Sequence, residues 1–200
     1  QLEISQYSND NPYQLLYVSI IDQYKHQWHV VDAVAKLRDK GYPIVLNLVG
    51  PAHSSSLRRL SKKINKLDKK KEYIKYHGSI PYKDLHNIYK ESHLGIFASS
   101  CENMPNILIE TMAAGLPIAC SNRGPMPEVL GNAGLYFNPE HSAEIFDALE
   151  NFINNPKLRD EKANASFYSV QKYSWSICTK ETFAFLECVI SDYKESLCVE

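Results

Sequence analysis

Along the chain, short apolar runs alternate with stretches in which apolar residues return every three or four positions. "LLYVS" (15–19), "IVLNLVG" (44–50), "YIKYHG" (73–78), "HLGIFASS" (93–100), "LPIACS" (116–121) and "GLYF" (134–137) have strand length and strand composition, with Gly, Pro, Asn or Ser at their borders. The intervening stretches have helical period. "HQWHVVDAVAKLRDKG" (26–41) turns Trp28, Val31, Val34 and Leu37 to one side and closes at Gly41. "HSSSLRRLSKKINKL" (53–67) reads as a Ser-capped helix, and "PYKDLHNIYKES" (81–92) as one started by Pro81. A helix over 105–114 closes at Gly115. "SAEIFDALENFINN" (142–155), a segment around 157–172 and a long helix from about Trp175 toward Leu197 complete the pattern.

Strands alternating with crossover helices predict βαβ units. The expected fold is α/β: a Rossmann-like, doubly wound, mostly parallel sheet of about six strands with helices on both faces. Ligands of such sheets gather beyond the carboxyl ends of the strands. Residues 19–25, 50–53, 77–80, 99–104 and 121–127 fall on that edge. The candidate domain boundary lies near residue 13, before the first strand.

Bulk properties narrow the function classes. A chain of 200 residues, 44% hydrophobic and 22% charged, can bury a real core. A net charge of −1 does not advertise nucleic acid, and no nucleic-acid partner is expected. The basic run "KKINKLDKKKEYIK" (62–75), with Leu60, Ile64 and Leu67 at helical spacing, reads as the solvated face of a helix; a phosphate or membrane-surface patch is the alternative. Five cysteines without C-x-x-C or Cys/His spacing argue against structural zinc or a disulfide framework and suit a cytoplasmic protein. No apolar run approaches the roughly 20 residues that span a bilayer. No D-x-D stands at a strand end, and neither a Ser-His-Asp nor a Cys-His arrangement stands out. Cys101, without an identifiable base, reads as a small packing residue.

The stretch "CENMPNILIE" (101–110) carries the candidate chemistry. Asn103, Pro105 and Asn106 are helix-start residues, so Glu102 falls in the loop above a helix N-terminus and Glu110 on its second turn. The free N–H groups of that first turn and the helix dipole make a place for a phosphate or diphosphate. Carboxylates on either side can accept hydrogen bonds from hydroxyls. The spacing suits a ligand with hydroxyls at both ends and an anionic middle, as in a nucleotide-sugar. Each acid also has a plainer reading: Glu102 as a capping or dipole partner, Glu110 as a solvent-facing edge residue.

Glu-x7-Glu, followed by "TMAAGLPIACSNRGPMPEVLGNAGLYFNP", closely resembles the C-terminal, donor-binding domain of retaining GT-B glycosyltransferases, glycosyltransferase family 4 (group 1). The similarity runs from about Leu15 to about Trp175. It includes "YVS…YKHQWHVVDAV", "LVG" (48–50), "YHGSIPYKDLHNIYKES" and "GLYFNPEHSAEI". The resemblance implies that Glu110 binds the ribose hydroxyls and that Glu102 contacts the transferred sugar near its anomeric centre. Backbone groups of Asn103 and Met104, with Asn106 close by, would hold sugar and phosphates. Gly78, Ser79 and Ile80 would meet the edge of the base, and Ser19 at the end of the first strand joins the donor-binding set. Lys25 matches the lysine of a basic pair that neutralises the diphosphate leaving group, whereas its arginine partner falls at or near Ile20. His26, the helix N-terminus and Arg123 are candidate substitutes for that missing cation. His26 and His29 stand evenly between a site role and a plainer one, in which Trp28 and His29 pack the helix start.

The resemblance further implies a metal-independent transfer from a UDP- or GDP-sugar to a glycan or lipid-linked acceptor, with no cofactor. The acceptor would be held by an N-terminal domain not contained in this sequence. Residues 1–13 would then be the linker, 14–174 the nucleotide-sugar-binding domain, and 175–200 a helix crossing back through Phe183, Leu186, Val189 and Ile190, with packing of that face on its own domain as the equal alternative. The isolated domain is expected to bind donor without efficient transfer. Polysaccharide biosynthesis in the cytoplasm, at the inner face of the membrane and with peripheral membrane association of the full-length protein, is the implied setting. Two other readings stand beside it: a non-catalytic scaffold or regulatory module of the same fold, suggested by Ile20, and another GT-B enzyme such as a nucleotide-sugar epimerase.

Overall fold

A computed structural model describes residues 2–197. Six strands, β1 (Tyr13–Val18), β2 (Ile44–Val49), β3 (Ile74–Tyr76), β4 (Leu94–Phe97), β5 (Ile118–Ser121) and β6 (Gly134–Phe137), form one sheet in the order β3-β2-β1-β4-β5-β6. Every pairing is parallel, so the sheet is wholly rather than mostly parallel. β1 and β4 are buried along nearly their whole length, as strands covered on both faces must be.

The crossover helices cover those faces. α1 (Gln27–Asp39), α2 (Ser54–Leu67) and α6 (Ser142–Asn154) pack together on one side, α1 lying between the other two. In α1, Trp28, Val31, Val34 and Leu37 are buried as the spacing predicts. On the other side, Leu16 and Val18 of β1 meet Leu85 and Tyr89 of α3 (Tyr82–Glu91), with Ile107 of α4 (Asn106–Ala113) against the same cluster. The chain reverses direction across the sheet between β1 and β4, which places the topological switch point between the loops that follow them.

Two compact units are separable, Gln1–Ser169 and Val170–Glu200. In the first, residues before β1 are held by contacts: Tyr7 stacks edge-on to Tyr13 and His93, and the buried Arg159 of α7 (Pro156–Val170) donates to the Leu2 carbonyl. The second contains α8 (Trp175–Leu197), on which Phe183, Leu186, Val189 and Ile190 are exposed.

Several expectations are corrected. The strands stop short of the loops that the apolar runs enter, so 98–100 and 77–78 are irregular backbone. The stretch 121–128, expected as a loop, contains the short helix α5 (Met126–Leu130). α2 is not Ser-capped: His53 is its N-cap and makes no side-chain cap bond. Pro105 likewise caps α4 without a side-chain bond, so neither Asn103 nor Asn106 closes that helix. Cys101 is exposed rather than packed; it, Cys120 and Cys178 are free thiols, and Cys198 lies outside the described residues.

Candidate functional site

The loop after β1 is built by hydrogen bonds that its own polar residues supply. Asp22 accepts from the Gln23 N–H at 2.6 Å, and Ile21 bridges to Ala52 in the loop after β2. A short 3-10 turn over Gln23–Lys25 then ends at His26, whose φ of 50° places it in the left-handed region. A non-glycine residue there signals strain held by surrounding contacts. Those contacts are visible. The Tyr17 hydroxyl donates to the Lys25 carbonyl at 2.7 Å, and the imidazole Nε2 of His26 lies 2.8 Å from the Ser100 hydroxyl. The Ser100 N–H donates to the Tyr24 carbonyl at 2.8 Å. The loops after β1 and β4 are thereby joined at the switch point.

Lys25 and Glu102 meet across this junction. The Lys25 ammonium is ion-paired with the Glu102 carboxylate and lies 5.0 and 5.3 Å from the ring centres of Tyr24 and Phe97. Lys25 is only 6% exposed and the Glu102 side chain 15%. A buried ammonium needs a partner, and the aromatic faces add a further attraction. The two residues named from the sequence as catalytic are therefore each other's partners.

Below Glu102, α4 begins bare. Among the described residues no acceptor meets the backbone N–H of Asn103, Met104, Ile107 or Leu108, whereas Asn106 N–H bonds the Met104 carbonyl at 2.9 Å. Asn103, Met104 and Asn106 are exposed. These are donors aimed from a helix N-terminus, where partial positive charge accumulates.

Glu110 sits one turn further on, half-buried, with no hydrogen-bond or ion-pair partner among the described residues. Burial pushes its carboxyl above the ordinary carboxylate range, and its charge in turn raises the Tyr89 phenol of α3, itself pushed up chiefly by burial. The Thr111 hydroxyl, next along α4, lies 3.5 Å from the Tyr89 hydroxyl, which sets this turn of α4 beside α3. Ile80 packs on the same apolar cluster as Ile107, which brings the segment after β3 close to Glu110's helix. The backbone N–H groups of Ser79 and Ile80 have no partner among the described residues, while the Gly78 carbonyl accepts from Gly50 at 2.8 Å.

Other candidates are engaged elsewhere. The Ser19 hydroxyl is buried and accepts from Gln27 Nε2 at 2.8 Å, so it faces the scaffold. Ile20 is half-buried and its carbonyl accepts from the same amide. Burial holds the His26 imidazole below the usual range, with His29 opposing protonation further. Arg123 is exposed in the loop after β5, 3.8 Å from Glu140. Trp28 packs α1 as expected and lies under the Arg59 guanidinium at 3.7 Å, with the His29 ring 6.2 Å away.

Sequence reasoning missed Gln27, which holds the chain just after β1, and Ser100, which ties the loops after β1 and β4 to each other. Gln27 did carry a signal: a polar residue at the start of an inward-facing helix, here fully buried. Among the described residues no group of three His, Cys, Asp or Glu side chains could hold a metal, and no helix is long and apolar enough to cross a membrane.

The family profile described as "Glycosyl transferases group 1" matches residues 3–167. Over 110 residues the chain is 28% identical to the O-antigen chain mannosyltransferase B of Escherichia coli, covering 55% of this chain and 29% of that protein. Over 90 residues it is 31% identical to the phosphatidyl-myo-inositol mannosyltransferase of Mycobacterium leprae (strain TN), covering 44% and 24%. The crystal structure of Anabaena Alr3699/HepE with UDP-glucose superposes with a TM-score of 0.79 at 19% identity, over 90% of this chain and 50% of that one. A glycosyltransferase from Rickettsia africae ESF-5 gives 0.79 at 20% identity, over 90% and 48%. At such identities the structures share the fold. The chain spans about half the length of these solved structures and under a third of the curated relatives.

Proposed function

Because the chain belongs to the glycosyl transferases group 1 family, we propose that it is the C-terminal, donor-binding half of a retaining, metal-independent GT-B glycosyltransferase of family 4. The observation that carries this reading is the meeting of Lys25 and Glu102, from the loops after β1 and β4, beside the bare N-terminus of α4. In the unliganded domain each charge neutralises the other. A nucleotide-sugar changes the arrangement: its diphosphate takes the free amides around 103–108 and the Lys25 ammonium, which releases Glu102 to accept hydrogen bonds from the sugar. Glu110, already without a partner, takes the ribose hydroxyls. The amides of Ser79 and Ile80 take the edge of the base.

As the sugar departs, charge grows on the leaving diphosphate, and each preorganised donor lowers the barrier by roughly 3 kcal/mol. Lys25 and the α4 amides supply such donors. Ile20 adds none, so turnover is expected to be slow unless a donor from outside this domain completes the site. The acceptor, a glycan or lipid-linked sugar, belongs to a preceding domain, and the whole protein works at the cytoplasmic face of a membrane in polysaccharide assembly. The uridine form of the donor is supported by the Anabaena fold neighbour, which is held with UDP-glucose.

Titration calorimetry of the domain with UDP and with GDP in EDTA tests this. Heat is expected from one of them, with no gain on adding Mg²⁺ and a loss on Glu110→Ala. A folded domain that binds neither nucleotide refutes the reading.

A further inference from the structure

The donor reading does not use the densest concentration of charge in the molecule. Residues 54–71, α2 and the turn after it, hold eight of the chain's 22 Lys and Arg residues against one of its 23 Asp and Glu residues. The remainder of the chain is accordingly acidic. The single acid, Asp68, is buried and spent on the turn itself, accepting from the N–H groups of Glu72, Tyr73 and Ile74 at 2.8–2.9 Å. It neutralises none of the cations at the surface.

The cations differ in their engagement. Lys63 is paired with Asp32 at 2.6 Å, Arg59 covers the Trp28 ring, and Lys70 is 3.8 Å from Glu72. Arg58, Lys62, Lys66, Lys69 and Lys71 are exposed and have no acidic partner among the described residues. The first three lie four residues apart, on one stripe of a 14-residue helix about 21 Å long. Leu60 and Ile64 face the opposite way into the core.

We propose that this face of α2 is a docking surface for an anionic lipid bilayer. A straight basic stripe on a molecule whose remaining residues are net acidic favours presenting that stripe to a planar negative surface. Lipid is favoured over nucleic acid by the residue types. Six of the eight cations are Lys, compact charges without the planar fork suited to bidentate phosphate and base recognition, and no aromatic residue in 54–71 offers a stacking face. The contact is electrostatic, since the exposed stripe carries no large apolar side chain to insert. This deepens the membrane-bound part of the proposed function and fails separately from its donor part.

The test is co-sedimentation of the 200-residue protein with vesicles, either phosphatidylcholine alone or phosphatidylcholine with 30% phosphatidylglycerol. Binding is expected to the anionic vesicles alone and to weaken steeply between 50 and 300 mM NaCl. The triple variant Arg58→Gln/Lys62→Gln/Lys66→Gln should lose about a hundredfold in affinity, at about 1 kcal/mol for each cation. UDP binding by the same variant, unchanged from the parent, shows that the fold and the donor site are intact. Equal binding to both vesicle types, no binding to either, or a triple variant that binds like the parent overturns the proposal. Displacement from vesicles by equimolar duplex RNA also overturns it, in favour of a nucleic-acid surface.

Discussion

The Lys25–Glu102 pair makes the most exposed wager, because breaking it from either side should have opposite electrostatic causes and similar costs. Opposite unit charges about 4 Å apart attract by ~4 kcal/mol at the effective dielectric constant of about 20 that suits such sites. Taking both ions out of water offsets a large part of this, so the net coupling is ~2 kcal/mol. Lys25→Met keeps an unbranched stem against the Tyr24 and Phe97 rings and removes only the charge. It leaves a carboxylate that is 15% exposed and can lean toward water, a cost of roughly 1.5 kcal/mol. Glu102→Gln leaves an ammonium that is 6% exposed, with an amide oxygen in place of its counter-charge, at a similar cost of roughly 1.5 kcal/mol.

The double variant has no orphaned charge, and its loss should be ~1 kcal/mol, well under what the singles predict if independent. Urea unfolding of the four proteins at pH 7 measures the cycle, with equal m-values as the condition for comparing them. The coupling should survive 0.5 M NaCl, since salt screens buried pairs weakly. A coupling below ~0.5 kcal/mol, the level at which distant sites already add, or one abolished by salt, refutes the buried pair. UDP supplies a second readout: if the diphosphate takes Lys25 from Glu102, saturating UDP should reduce the coupling.

Other consequences follow from single residues. Burial raises the Glu110 carboxyl, so the folded state holds its proton more tightly than the unfolded chain, and the fold loses stability as pH rises through the carboxylate range. Glu110→Gln should therefore melt slightly higher than the parent at pH 7 while weakening UDP at least tenfold; parallel losses of both would show a structural role instead. His26, His29, His77 and His93 are all held below the ordinary imidazole range, first by burial, and His93 Nδ1 already accepts the Gln14 N–H at 2.9 Å. The unfolded chain takes up protons first, so stability is complete above about pH 6.5 and falls as pH drops below it; a melting temperature flat from pH 5 to 7.5 contradicts this. Gly50 has φ +141°, and a Cβ there would lie 2.1 Å from the Ser19 carbonyl oxygen. Gly50→Ala should cost at least ~2 kcal/mol in urea unfolding, and a near-neutral result would mean that the loop after β1 is placed wrongly.

The order of strands and helices was legible because buried parallel strands and amphipathic helices write different periods into the chain. Trp28, Val31, Val34 and Leu37 illustrate this, each read as inward and each buried. What was illegible lies where period stops carrying information. The apolar run over 93–100 continues past the end of β4, because Ala98 and Ser99 line the core without pairing in the sheet; after β3 the run ends in an exposed His77 whose N–H still bonds the Leu48 carbonyl. α5 was hidden by Gly124, Pro125 and Pro127, which mark turns but also fit a first helical turn. The orientation of Glu110 was hidden by "ILIETMAAG", which is apolar nearly all round and so names no outward face. The partnership of Lys25 with Glu102 joins residues 77 positions apart, which only the strand order can bring together.

Several of the local rules that this sequence breaks gather in one place, although the left-handed Lys71 and the buried Ser166 hydroxyl stand elsewhere. A lysine and a glutamine are buried, a histidine takes a left-handed backbone, its Nδ1 and the Gln27 Oε1 are buried without partners, and a helix starts uncapped between two asparagines. All of these stand in the loops after β1 and β4 or at the helix ends they lead into. Each lowers stability relative to an easy alternative: glycine at 26, an apolar residue at 27, a capping serine at 105. A module kept only as a scaffold would gain from any of them and has no use for their coincidence at the switch point. A protein whose ligand supplies the missing partners retains them because binding, rather than folding, is what they stabilise. That clustering is why the donor-binding reading outweighs the scaffold reading despite Ile20, and nucleotide-dependent stabilisation is its direct thermodynamic signature: UDP at 100 times its dissociation constant should raise unfolding free energy by about 2.7 kcal/mol.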